Sequence, residues 1–67
     1  MATPAQEPLL QYFEYDHLRE DLKETSKAFH DLAHKLVDEL PRSPERTVAL
    51  RKLLESKDCA VRAKVYP

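Results

Sequence analysis

The chain of 67 residues contains no glycine, no tryptophan and a single cysteine. Without glycine, positive-φ turns, tight β-hairpins and phosphate-cradling loops are unfavourable, so neither a P-loop nor a dinucleotide-binding glycine motif is expected. The single cysteine, Cys59, excludes an intrachain disulfide, and no cysteine cluster suggests structural zinc. The residues that dominate instead are Leu, Ala, Glu, Lys, Arg and Asp, a composition that favours helix.

Long apolar segments are also missing. No stretch approaches the roughly 20 apolar residues that span a bilayer, and the first ten residues do not have the pattern of a signal peptide. We therefore expect a soluble, intracellular protein. A domain this short seldom buries enough apolar surface to be stable alone, and with no disulfide or metal to help, we expect it to form an oligomer.

The chain divides into an arm and one domain. Residues 1–8 contain two prolines and no apolar periodicity, which predicts a flexible arm, and residues 9–67 form a single helical domain. At the start of that domain, Tyr12, Phe13 and Tyr15 predict a short helix or an extended segment. Phe13 is expected to anchor this segment to the core, and a tyrosine face is expected to stay accessible.

Apolar residues at three- and four-residue spacings predict a first long helix between Leu18 and Leu40, with Asp16 as its N-cap. Pro41 ends this helix, and Ser43 followed by Pro44 is a typical helix start, which predicts a second helix from Pro44 to about Lys64. The predicted stripe of the first helix comprises Leu22, Phe29, Leu32, Ala33, Leu36, Val37 and Leu40. The short link between the helices predicts an all-α, antiparallel helical hairpin.

The second helix has apolar or small residues on more than one face. Leu50, Leu54, Val61 and Val65 form one line, expected to pack on the first helix, and Ala49, Leu53, Ser56, Ala60 and Ala63 form another. Small side chains permit a close approach of another helix. We therefore expect a second subunit on that face.

Charge is divided between the two halves of the chain. Residues 1–41 contain four Lys or Arg and nine Asp or Glu, a net charge of −5, whereas residues 42–67 contain seven and three, a net charge of +4. One explanation for this division of charge is electrostatic complementarity between the two arms of the hairpin, and a binding function explains it equally well. Alternatively, the basic helix binds a small anion, with backbone donors at Ser43 contributing. A near-neutral total argues against binding of long DNA or RNA.

Two motifs with catalytic associations favour structural roles. His30 and His34 in "HDLAH" have the spacing of a zinc-binding helix, but Asp replaces the usual glutamate and no third ligand is evident. Cys59 follows Asp58, whose charge disfavours a thiolate. We expect no catalytic residue, no metal and no cofactor, and therefore no enzyme.

Two segments carry a resemblance to a known family. "FEYDH", residues 13–17, and "LPRSPERTVAL", residues 40–50, resemble two elements of phage-encoded cyclic-nucleotide sponges, the anti-CBASS proteins and the related hairpin of anti-Thoeris proteins. The resemblance covers residues 13–63. It implies a helical hairpin that assembles into an oligomer, commonly a hexamer, and acts without catalysis in the host cytoplasm.

The resemblance also implies a site. Tyr15 matches the family's base-stacking tyrosine, and Lys27 best matches its phosphate-contacting lysine, with Lys23 as the alternative. Arg46 and Thr47 match the basic and hydroxyl positions of a second pocket. The implied function is sequestration of a cyclic di- or trinucleotide immune signal, which blocks abortive-infection signalling. The alternative is a small helical module that binds or inhibits a protein through its basic second helix.

Overall fold

A computed structural model describes residues 7–66, and these form three helical segments. A 3₁₀ helix, Pro8–Phe13, precedes two long helices, α1 (Glu20–Glu39) and α2 (Pro44–Val65). No strand occurs in this part of the chain, so the predicted all-α class is confirmed. Within the same residues, no helix combines the length and the apolar character needed to cross a membrane.

The two long helices pack antiparallel. Near the start of α1, the backbone carbonyl of Asp21 accepts a hydrogen bond from Lys64 Nζ at 2.6 Å, and Lys64 belongs to the last turn of α2. Near the end of α1, the carbonyl of Leu40 accepts a hydrogen bond from Arg46 Nη1 at 3.1 Å, and Arg46 lies in the first turn of α2. These contacts at opposite ends confirm the predicted hairpin.

The core lies where the 3₁₀ helix meets both long helices. Its buried apolar members are Leu10, Phe13, Ala33, Val37 and Leu50. The ring of Phe13 is fully buried, which confirms its predicted role as the anchor of the aromatic segment.

Two members of the predicted α1 stripe lie outside the core. Leu32 and Leu40 are 43% and 40% exposed, so their assignment to the buried face was wrong. Leu32 is one position from the buried Ala33 and is rotated about 100° from it around the helix, whereas Leu40 follows the last helical residue. The stripe is therefore narrower than the spacing alone indicates.

The cap predicted for α2 is observed, whereas the cap predicted for α1 is not. Ser43 Oγ accepts a hydrogen bond from the backbone nitrogen of Arg46 at 3.1 Å, so the predicted cap of α2 is confirmed. The predicted cap of α1, Asp16, is wrong. Asp16 lies in a turn closed by a hydrogen bond from Leu18 N to Tyr15 O at 3.1 Å, and α1 begins after Arg19 with no side-chain cap.

The end of α1 is stabilised from outside the helix. α1 has no basic residue in its last turn, and the last carbonyls of a helix need donors from elsewhere. Arg46 supplies them: its Nη1 lies 3.4 Å from the carbonyl oxygen of Val37 and 3.1 Å from that of Leu40. The guanidinium group of Arg46 therefore fastens α2 to the end of α1.

A buried ion pair joins the beginning of the described chain to this junction. Glu7 Oε1 accepts a hydrogen bond from Arg46 Nη2 at 3.0 Å, and the two side chains are only 7% and 6% exposed. Most of the predicted flexible arm, residues 1–6, lies outside the described residues. Its last two residues differ from the prediction, because Glu7 is buried in this pair and Pro8 begins the 3₁₀ helix.

Candidate functional site

Tyr15 is positioned by the segment that connects the 3₁₀ helix to α1. The buried Phe13 fixes the chain two residues earlier, Glu14 is extended, and the turn that ends at Leu18 fixes the chain afterwards. The half-buried Tyr15 ring lies against His30 of α1, with ring centroids 5.1 Å apart and planes inclined by 76°. Such an edge contact uses at most one face of the tyrosine ring.

Lys27 lies on α1 one turn before His30, the residue that the Tyr15 ring contacts. Its Nζ donates a hydrogen bond to Asp31 Oδ2 at 2.7 Å, and the other carboxylate oxygen of Asp31 lies 3.1 Å from His30 Nδ1. Tyr15, Lys27, His30 and Asp31 thus form one connected group, which we call the Tyr15 cluster. It combines the aromatic and cationic residues that were predicted to act together.

Charges within the Tyr15 cluster shift two pKa values in opposite directions. The hydrogen bond from Lys27 lowers the pKa of the Asp31 carboxyl below its usual 3.8, and the hydrogen bond with His30 lowers it further. The hydrogen bond to Asp31, and then the attraction of its charge, raise the pKa of Lys27 above its usual 10.5, and Tyr15 contributes in the same direction. Lys27 is therefore a cation throughout the physiological range.

Lys23 lies one helical turn before Lys27, so the two lysines are neighbours on the surface of α1. The Nζ of Lys23 is 3.3 Å from Glu20 Oε1, and its side chain is 32% exposed. The rise along α1 separates the two positions by about 6 Å. Both lysines are consequently placed to meet anionic groups on the same side of the hairpin.

Arg46 and Thr47 lie elsewhere. Arg46 belongs to α2 and contacts α1 at Val37, which lies ten residues, or about 15 Å along the helix, beyond Lys27. The side chain of Arg46 is buried together with that of Glu7. Thr47 is half-buried, and its hydroxyl donates to the carbonyl of Ser43 at 3.3 Å. Arg46 is therefore part of the hairpin's internal structure, and the structure does not join these two residues to the Tyr15 cluster.

The two histidines of "HDLAH" lie side by side, with His30 and His34 ring centroids 4.3 Å apart. His34 is buried, and His30 is half-buried beneath Tyr15. Among residues 7–66, no group of three or more His, Cys, Asp or Glu side chains is arranged to hold a metal ion. The imidazole of His30 instead supports the Tyr15 ring and the Asp31 carboxylate.

A shallow depression of about 320 Å³ begins at the edge of the Tyr15 cluster, where Asp31 lies, and runs toward the end of α1. Its lining includes three carboxylates, those of Asp31, Asp38 and Glu39, and one lysine, Lys35. This excess of negative charge repels anions. Electrostatic repulsion of an anion near Lys27 is therefore weaker on the side of Tyr15 and Lys23 than on the side of the depression.

Sequence reasoning missed two buried polar residues, Glu7 and Ser26. Ser26 is fully buried and lies four residues after Leu22 and three before Phe29, a spacing that could have placed it on the buried face. No local pattern predicts the burial of Glu7, because its partner, Arg46, is 39 residues away.

No family model matches the chain, and no curated protein or solved structure matches it.

Proposed function

We propose that this protein sequesters a cyclic oligonucleotide immune signal by stoichiometric binding, without breaking a bond. The observation that carries the proposal is the Tyr15 cluster, in which Tyr15 and Lys27, 12 residues apart in the chain, are joined through His30 and Asp31. The resemblance of residues 13–17 and 40–50 to phage-encoded sponges supports the same function.

The Tyr15 cluster has the two chemical features that a cyclic dinucleotide requires. An aromatic ring stacks on a base, which contributes about 1–3 kcal/mol per base. An ammonium group binds a phosphate through a charge-assisted hydrogen bond, which contributes about 1.5–3 kcal/mol. Because Lys23 and Lys27 are neighbours, each of the two phosphates can meet a lysine.

Enclosing such a ligand requires more than one chain. The hairpin extends over 36 × 19 × 15 Å, and the Tyr15 cluster lies on its surface. We propose that the protein assembles into an oligomer, with a hexamer as the form that the resemblance suggests, and that the binding sites lie at subunit boundaries. Of the line predicted to meet a second subunit, Leu53 packs against the core instead, whereas Ser56 and Ala63 are small and exposed and so support this assembly.

Binding is tested by native mass spectrometry with a panel of cyclic di- and trinucleotides, which reports subunit count and ligand count together. Calorimetry then compares the wild type with Tyr15→Ala and Lys27→Ala. Each substitution should weaken binding by about tenfold to a hundredfold, because each removes a contribution of the size given above. The ligand should be recovered unchanged after denaturation.

Lys35→Ala is the matched control. Lys35 is exposed on the same helix two turns beyond Lys27, beside the acidic depression and outside the Tyr15 cluster. Its substitution should leave the affinity within about twofold of wild type. The sponge proposal fails if no cyclic nucleotide binds the wild type with a Kd below about 10 μM, which corresponds to roughly −7 kcal/mol.

A second candidate function, binding of a protein partner through α2, is supported by one exposed surface. Val48 is 48% exposed, and Arg51 and Lys52, one turn further along α2, are exposed as well. A cell-based assay of cyclic-oligonucleotide signalling separates the two functions. Under the sponge proposal Tyr15→Ala restores signalling and Val48→Asp does not, whereas under the partner proposal the result is the reverse.

A further inference from the structure

A second cavity borders the connection that carries Tyr15. It has a volume of about 260 Å³ and is bounded by the 3₁₀ helix, residues 14–18, α1 and α2. Ligand sites for whole drug-sized molecules span about 300–1,000 Å³, so this cavity has the size for a part of a ligand, such as one nucleobase. Glu14 and His17, the neighbours of Tyr15 along the chain, contribute to its wall.

The lining of this cavity carries charges of both signs in balance. Lys57 and Arg62 contribute positive charges, and Glu14 and Asp58 contribute negative charges. A phosphate gains little from such a balanced site. A neutral group whose edge alternates hydrogen-bond donors and acceptors fits it better, and nucleobases have such edges.

The individual side chains favour one base. Lys57 donates to the carbonyl of Tyr12 and lies 3.6 Å from the Asp58 carboxylate, so most of its hydrogen-bonding capacity is used within the protein. Arg62 is different. Its one hydrogen bond within the described residues is from Nη2 to Cys59 Sγ at 3.3 Å, and sulfur is a weak acceptor. Guanine offers O6 and N7 as paired acceptors to an arginine, and its N2 amino group donates to a carboxylate.

Adenine fits this lining less well, because its N6 amino group replaces the O6 acceptor and would face the same guanidinium group. The Glu14 carboxylate has no ion-pair partner in the part of the chain described, and it is thus available to accept from the guanine amino group. Tyr12, 53% exposed, adds an aromatic ring beside the cavity.

Ser26 is the buried polar residue of the cavity lining. It lies in the cavity wall and is fully buried, and its hydroxyl has no hydrogen-bond partner among the described residues. A buried hydroxyl without a partner destabilises a folded protein, so such groups are normally satisfied. The hydroxyl oxygen is inaccessible to solvent, so a base edge in the cavity reaches it only after a small movement of the wall.

We infer that this cavity is a base-reading subsite that selects guanine, and that the sequestered cyclic nucleotide contains at least one guanine. The inference rests on the proposed function for the identity of the whole ligand. Arg62 is its specificity-determining residue. Tyr15 and Lys27 hold the ring and its phosphates from outside, and the cavity distinguishes one of its bases.

The test uses two pairs of probes in the full chain. Cyclic di-GMP and cyclic di-AMP differ only in their bases, as do GMP and AMP. The wild type should bind the guanine member of each pair at least about fivefold more tightly, since a good bidentate contact discriminates by about this factor or more. In Arg62→Gln this ratio should fall close to one. Arg51→Gln, at an exposed arginine of α2 outside the cavity, should keep the wild-type ratio.

The outcomes separate this inference from the sponge proposal. If cyclic dinucleotides bind and depend on Tyr15, but the guanine preference is absent or unaffected by Arg62→Gln, the base-reading subsite is refuted and the sponge stands. If no cyclic nucleotide binds, NMR titration with GMP decides. Shifts of the Ser26 and Val61 amides that exceed those with AMP, and that Arg62→Gln abolishes, support the subsite, and their absence refutes it.

Discussion

Replacement of Arg46 by methionine should destabilise this protein more than any other change to a single charged residue. Methionine keeps the unbranched apolar stem of arginine and removes the guanidinium group. The change leaves the Glu7 carboxylate, 7% exposed, without its partner, and it removes the donor to the carbonyls of Val37 and Leu40. One substitution thus releases the beginning of the described chain and the end of α1 together.

The expected loss is large relative to the stability of so small a chain. Removing one partner of a buried ion pair costs about 3–5 kcal/mol, because the remaining charge is left uncompensated. A domain of 67 residues has a total free energy of unfolding of about 3–10 kcal/mol. Arg46→Met should therefore unfold a substantial fraction of the molecules or lower Tm by more than about 10 °C.

Urea denaturation at fixed protein concentration measures the effect, and two further variants test its cause. Arg51→Met removes an exposed arginine of the same helix and should change the free energy of unfolding by less than about 0.5 kcal/mol. Adding Glu7→Gln to Arg46→Met removes the uncompensated charge and should restore part of the loss. A loss below about 1 kcal/mol for Arg46→Met, or no restoration by Glu7→Gln, would refute the buried-pair argument.

Three further outcomes are expected. Sedimentation at micromolar concentration should show a species several times the 7.8 kDa monomer, and Ala63→Glu, at an exposed position, should dissociate it without unfolding the hairpin. NMR titration should give the Asp31 carboxyl a pKa below 3.8, and Lys27→Ala should raise this pKa. The pairing of Asp31 with Lys27 should therefore persist while the carboxyl is ionised and be lost as the pH falls through the lowered pKa. Stoichiometric zinc should leave Tm unchanged, and His30→Ala should still fold, whereas strong zinc-dependent stabilisation would revive a metal site.

Local signals in the sequence predicted the hairpin well. Ser43 and Pro44 act within one turn of the residues they cap, and the predicted start of α2 is the observed one. The start of α1 shows the limit of such signals. Asp16 is an equally good capping residue by type, but it lies in the turn between Tyr15 and Leu18, and the helix starts only at Glu20.

The residues proposed for the candidate site could be named from the sequence, but their arrangement in space could not. The resemblance pointed to Tyr15 and Lys27, and the fold brings them into one cluster through His30, for which only a structural role was predicted. The location of Arg46 depends on an ion pair across 39 residues. The type of a residue does not show whether a cationic side chain is buried or exposed, because its burial depends on the packing of the whole fold.

The contrast between Lys27 and Arg46 explains why we place the proposed binding site on the side of α1 that carries Lys27. The Lys27 side chain is 57% exposed, and its partner Asp31 is 48% exposed. Solvent screens a pair this exposed, so a phosphate can share or displace it at little cost. Arg46 is held by a buried carboxylate and two helix-end carbonyls, and a ligand that recruited it would have to leave Glu7 buried without a partner. That cost exceeds what a charge-assisted hydrogen bond to phosphate returns, so the accessible lysine is the cation that a ligand meets first.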